Sequence, residues 1–115
     1  MGKLTTHVLD TANGAPAAGV AVRLYAGEGG APIAETATNA DGRCDRPLLE
    51  GGAMRVGAYR LEFAVADYFR AKGAVLSDPP FLDKITVTFA IADAGAHYHV
   101  PLLVSPFGYS TYRGS

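Results

Sequence analysis

Residues 85–91 read Ile-Thr-Val-Thr-Phe-Ala-Ile. An apolar side chain at every second position suits a half-buried strand, whose successive residues point to opposite faces, and fits no single face of a helix. Ile85, Val87, Phe89 and Ile91 therefore belong to one inward wall, with Thr86, Thr88 and Ala90 opposite. The same parity recurs in GVAVRLYA, where Val20, Val22 and Leu24 oppose Arg23 and Tyr25, and in YRLEFAVA, where Tyr59, Leu61, Phe63 and Val65 oppose Arg60 and Glu62. LTTHVLD and PIAETAT supply shorter strands, HYHVPLLVSP a longer one, and Phe107 to Thr111 a last one. Pro101 lacks an N–H, so it is expected at a bulge or where no neighbouring strand needs a donor.

The stretches between these runs, TANGAPAAG, AGEGGAP, TNADGR and LSDPP, are dense in turn-forming residues. ADYFRAKG departs from the pattern: Tyr68, Phe69 and Lys72 have helical spacing and Gly73 stands where a helix C-terminus is capped. Seven or eight strands and one short helix in 115 residues predict one domain, 1–115, built as an all-β Greek-key sandwich.

Charge excludes one class of partner. Net charge is −1 and the Lys and Arg residues are scattered, so there is no basic stripe for a phosphate backbone and no nucleic acid is expected. Neither a membrane-length apolar run nor the apolar core of a secretory signal occurs, so the sequence as given reads as soluble and cytoplasmic, with no membrane partner. The one cysteine, Cys44, permits no intrachain disulfide and reads as a small packed residue.

Three histidines remain as acid–base candidates. Parity sends His7 away from Thr6 and Val8, and His97 and His99 away from Tyr98 and Val100. All three project from a sheet surface. The His-x-His pair has a spacing that metal ligands on a strand use, with His7 as a conceivable third, but no supporting metal motif accompanies it. Arg43 follows the turn Asn39-Ala40-Asp41-Gly42, which should aim it from the start of the next strand; its planar cation suits a carboxylate or a developing oxyanion. Phosphate loops, a nucleophile-elbow serine and a carboxylate pair are all missing.

The segments LTTHVLD, NADGR, PFLDKITVTFAI and HYHVPLLVSPFGYSTYRGS together resemble the 5-hydroxyisourate hydrolases, the transthyretin-like enzymes of urate breakdown. The resemblance runs from Leu4 to Ser115, and the closing Tyr112-Arg113-Gly114-Ser115 separates such hydrolases from the hormone-carrying transthyretins of the same fold. It implies a transthyretin-like (prealbumin-like) antiparallel sandwich of two four-stranded sheets with one short helix. It also implies a homotetramer, a dimer of dimers, with active sites at the subunit interface. The implied reaction is hydrolysis of 5-hydroxyisourate to 2-oxo-4-hydroxy-4-carboxy-5-ureidoimidazoline in purine catabolism, with no metal or organic cofactor. His7, Arg43 and His99 are the implied catalytic residues, with Tyr112, Arg113, Gly114 and Ser115 binding substrate and His97 supporting His99. One of His7 and His99 would take a proton from water while the other orients that water or protonates the leaving nitrogen. A ligand carrier on the same fold, or a purely structural sandwich module, are the competing classes; the first predicts binding without hydrolysis, the second a monomer indifferent to loss of its tail.

Overall fold

The computed structural model describes residues 2–114. In chain order the elements are β1 (Lys3–Asp10), β2 (Ala15–Pro16), β3 (Ala21–Ala26), β4 (Ala34–Ala37), β5 (Leu49–Glu50), β6 (Gly57–Ala64), α1 (Val65–Ala71), β7 (Lys84–Ile91), β8 (His97–Ser105) and β9 (Gly108–Thr111). One sheet has the order β2-β1-β8-β9, with β5 also on β1; the other is β4-β3-β6-β7. No helix among the described residues is long and apolar enough to cross a membrane.

Each strand anticipated from alternation forms, and with the anticipated face inward. From the first sheet Leu4, Val8, Leu102 and Val104 are fully buried, and from the second Val22, Leu24, Leu61, Phe63, Ile85 and Ile91 meet them. Burying an aliphatic or aromatic side chain of this size contributes about 1.5–3 kcal/mol, so this layer is what holds the sheets face to face.

Four details depart from the sequence reading. The first sheet has five strands rather than four, because the edge of β1 away from β8 is covered in pieces: β2 pairs with Leu9 and Asp10, β5 with Lys3 and Leu4. Two-residue strands carry no alternation to detect. Secondly, β1 and β8 run parallel, in continuous register from Lys3 opposite His97 to Asp10 opposite Val104, whereas every other strand pair is antiparallel. A parallel pair needs a long connection, and here the whole second sheet supplies it. Thirdly, Val65 opens α1 instead of ending β6, yet stays buried. Finally, no strand starts at Arg43, which makes only an isolated bridge to His7.

Pro101 sits inside β8 without a bulge in the β1 register. The odd residues of β8 turn their backbone groups towards β9 and the tail, as the Gly114 amide bonded to the His99 carbonyl demonstrates. Pro101 lies just where β9 ends at Thr111, and its carbonyl takes the Thr111 hydroxyl at 2.7 Å. The ladder thus asks no donor of it.

The helix is closed by Gly73 at φ +85°, whose amide bonds the Arg70 carbonyl while that of Ala74 bonds Phe69. Val65, Ala66, Tyr68 and Phe69 are its buried residues. Tyr68 also reaches across to β1, donating its hydroxyl to the buried Asp10 carboxylate at 2.7 Å. Asp10 further accepts the amides of Ala12 and Asn13, each at 2.9 Å, and the Asn13 side chain at 2.6 Å. Burial pushes Asp10 up, but these bonds outweigh it and leave the carboxyl below its ordinary pKa. Burial, and after it the same pairing, pushes the Tyr68 phenol up.

Candidate active site

The outward face of the first sheet gathers the chemistry. In register across it stand Arg43 opposite His7, Thr5 opposite His99, and His99 opposite Gly114. Because directly paired residues project to the same face, side chains separated by many tens of residues share one surface. There Thr5, Arg43 and His99 border a cleft of about 240 Å³, lined also by Lys3, Thr6, Cys44, Arg46 and His97; His7 and Gly114 are not among its lining residues.

Arg43 is delivered by a turn that only glycine completes. Gly42 has φ +75°, and a Cβ there would overlap the Val8 carbonyl; its own carbonyl accepts the Val8 amide at 2.8 Å. The turn is braced by Asn39 Oδ1, which accepts the amides of Asp41 and Arg43. His7 is tied to the same turn, its Nε2 donating to the Asp41 carbonyl at 2.8 Å. That bond requires the proton on Nε2.

His99 is the most constrained of the three imidazoles. Its Nδ1 lies 2.8 Å from the Thr5 hydroxyl, and the same hydroxyl is 3.0 Å from His97 Nε2. Half-burial lowers its pKa from the ordinary 6.5, and the positive charge of Arg43, followed by His7 and His97, lowers it further. A neutral imidazole beside a permanent cation is an arrangement that takes a proton from water and stabilises a nearby oxyanion. Cys44, half-buried, has its thiol pushed up by burial and by Asp45, which keeps it a protonated thiol rather than a nucleophilic thiolate. Among the described residues no three His, Cys, Asp or Glu side chains converge in a metal-holding group.

The tail divides. Gly114 donates its amide to the His99 carbonyl at 2.8 Å and packs so closely that a Cβ there would come 2.6 Å from His99 Cδ2. Arg113, one residue earlier, turns the other way: its guanidinium lies 4.1 Å from the centre of the Tyr98 ring and donates to the His97 carbonyl at 3.3 Å. Tyr112 and Arg113 border a separate groove of about 210 Å³ between β7 and β8. Within this chain, then, Gly114 joins the histidines and the Tyr112 and Arg113 side chains do not; Ser115 lies outside the described residues. Lys3, Thr5 and Arg46 were not singled out from sequence. Parity alone already places Lys3 and Thr5 on the His7 face, which is the signal that was there to use.

These positions can be set against known proteins. Residues 4–114 match the HIUase/Transthyretin family. The chain belongs to that family. Among HIUase/Transthyretin relatives, it is 60% identical to a 5-hydroxyisourate hydrolase of Ralstonia nicotianae, each chain being covered in full. The crystal structure of an (S)-allantoin synthase superposes with a TM-score of 0.94 at 46% identity over 99% of this chain, which spans 44% of that longer protein. A sea bream transthyretin in complex with thyroxine superposes with a TM-score of 0.85 at 32% identity, covering 97% of this chain and 94% of that one. The sandwich described above is thus a transthyretin-like fold.

Proposed function

We propose that this HIUase/Transthyretin family member hydrolyses 5-hydroxyisourate to 2-oxo-4-hydroxy-4-carboxy-5-ureidoimidazoline in purine breakdown. The observation that carries the reading is the half-buried His99 imidazole, held below its ordinary pKa beside the Arg43 cation in one cleft. The 60% identity to a named 5-hydroxyisourate hydrolase supplies the substrate.

In this mechanism water attacks the carbonyl of a ring amide. His99 takes a proton from the water as the new C–O bond forms, His7 orients that water, and Arg43 stabilises the oxyanion through paired N–H donors. Collapse breaks the C–N bond, and the proton held by His99 passes to the leaving nitrogen. No metal or organic cofactor enters the scheme. Gly114 seats the His99 ring, and Arg113, clasped to Tyr98, orders the tail that carries it.

We further propose that the domain, residues 1–115, works in the cytoplasm as a homotetramer, a dimer of dimers, whose subunit contacts enclose the cleft. Two features support this: β7 and β9 are open sheet edges, and Phe81, Phe107, Tyr109 and Tyr112 are large side chains left about half or more exposed.

The decisive measurement is the ultraviolet absorbance of freshly generated 5-hydroxyisourate with and without protein. Acceleration over spontaneous decay is expected, falling at least about tenfold in each of His7→Ala, Arg43→Ala and His99→Ala. Wild-type rates in two of these variants would refute the site, and saturable binding without acceleration would favour a carrier.

A further inference from the structure

A hydroxyl group owns one proton, yet Thr5 stands between two imidazoles: its Oγ1 is 2.8 Å from His99 Nδ1 and 3.0 Å from His97 Nε2. Both distances are hydrogen bonds, and the hydroxyl, with one proton and two lone pairs, donates to at most one of the rings. The proton positions of the two histidines are therefore coupled through a third side chain. The cause lies in the parallel register, which sets Lys3 against His97 and Thr5 against His99. The same face then repeats every second residue on both strands.

Three arrangements satisfy the bonds: in one both rings donate to Thr5 and its own proton turns elsewhere, and in the remaining two Thr5 donates to one ring. In the first of these two, Thr5 donates to His99 Nδ1 and the His99 proton sits on Nε2. In the second, His99 Nδ1–H donates to Thr5, Thr5 donates to His97 Nε2, and the His99 Nε2 keeps its lone pair. The surroundings discriminate between the two His99 tautomers. Nε2 of His99 makes no protein hydrogen bond among the described residues, and the cleft that His99 lines also carries Arg43, Lys3 and Arg46. These cations have only N–H groups to offer. An outward lone pair is favoured by that field, and an outward N–H is opposed by it.

We propose that Thr5 is a positioning residue, its hydroxyl locking His99 as the Nδ1–H tautomer by accepting from Nδ1 and donating to His97 Nε2, so that the Nε2 lone pair faces the cleft. This rests on the reading of His99 as the base. Once Nε2 has taken its proton from water, Nδ1–H still donates to Thr5, so the link survives the step without rearranging. His97, exposed, serves as the terminal acceptor that keeps the Thr5 proton turned away from His99.

The test reads the tautomer directly. Protein labelled with nitrogen-15 histidine is examined by long-range proton–nitrogen correlation at neutral pH, with His7→Ala and His97→Ala variants assigning the three rings. Wild-type His99 should present a protonated Nδ1 and a bare Nε2. Thr5→Val, which keeps the shape and β-branching but lacks the hydroxyl, should lose that preference and cut kcat at least about tenfold with little change in KM. Thr5→Ser should restore both. Finding wild-type His99 protonated on Nε2, or an unchanged tautomer in Thr5→Val, overturns the proposal, as does a changed tautomer with undiminished kcat. Wild-type protein inert towards 5-hydroxyisourate, but with His99 as Nδ1–H, upholds the tautomer assignment and overturns the catalytic reading instead.

Discussion

The amide of Gly114 donates to the carbonyl of His99 at 2.8 Å, and no side chain stands between the tail and the imidazole. A methyl group at this position would come within 2.6 Å of His99 Cδ2, so Gly114→Ala must tilt the ring or push the tail away. Either response misplaces a base that works only at hydrogen-bond distance, and small misplacements of this kind cost about 10²-fold. The expected result is a loss of kcat of that order with an unchanged thermal midpoint. Deleting Tyr112 to Ser115 should likewise abolish turnover while the sandwich survives. An active deletion variant would reduce the tail to ornament.

The pH dependence follows from the His99 shift. Its pKa in the folded protein lies below the ordinary 6.5, so the neutral base is present at and above that pH and kcat/KM should fall only as pH drops below it. Arg43→Gln removes the largest of the charges that lower it. The His99 titration midpoint, followed by ring proton shifts, should therefore rise towards 6.5 while burial still holds it beneath. Stability has the matching sign: an unfolded His99 binds its proton near 6.5 and the folded one resists, so this group costs stability as pH falls below 6.5. A midpoint unmoved in Arg43→Gln would show that the two groups do not share the cleft.

Gly42→Ala should impair both folding and catalysis. The residue has φ +75° and no room for a Cβ against the Val8 carbonyl, and a non-glycine residue in such a conformation costs about 1–3 kcal/mol. Relief of the overlap would lift Arg43 away from His7. Chemical denaturation should report the loss of stability and steady-state kinetics a fall in kcat. Native values for both would mean that the turn has slack.

Asp10 and Tyr68 join β1 to the helix away from the cleft. Tyr68→Phe removes a 2.7 Å bond to a buried carboxylate, and losing one hydrogen bond to a charged group costs about 1.5–3 kcal/mol. Activity at a temperature well below the transition should be unaffected. Since Asp10 titrates below its ordinary 3.8 when folded, its contribution is complete above that pH and is lost as pH falls through the folded value. Acid unfolding should accordingly begin at higher pH in Tyr68→Phe, where the carboxylate has lost a donor. A coincident acid transition would assign the tie no role in acid stability.

How far the sequence could be read is clearest on β1 and β8. Parity along the two strands is enough to set His7 on the face away from Thr6 and Val8, and His97 and His99 on the face away from Tyr98 and Val100, because side-chain direction on a strand is a local property of alternation. Gly73 likewise announced the end of the helix through its freedom to adopt positive φ. What alternation does not carry is which strands lie side by side, in which direction and at what offset. Those depend on burial summed over residues far apart in the chain, and a one-residue slip would exchange every neighbour. The parallel register of β1 on β8, the short strand that leaves room for the Gly42 turn beside Val8, and the return of Gly114 to His99 are decisions of that kind. They alone put a threonine between two histidines and an arginine opposite a third.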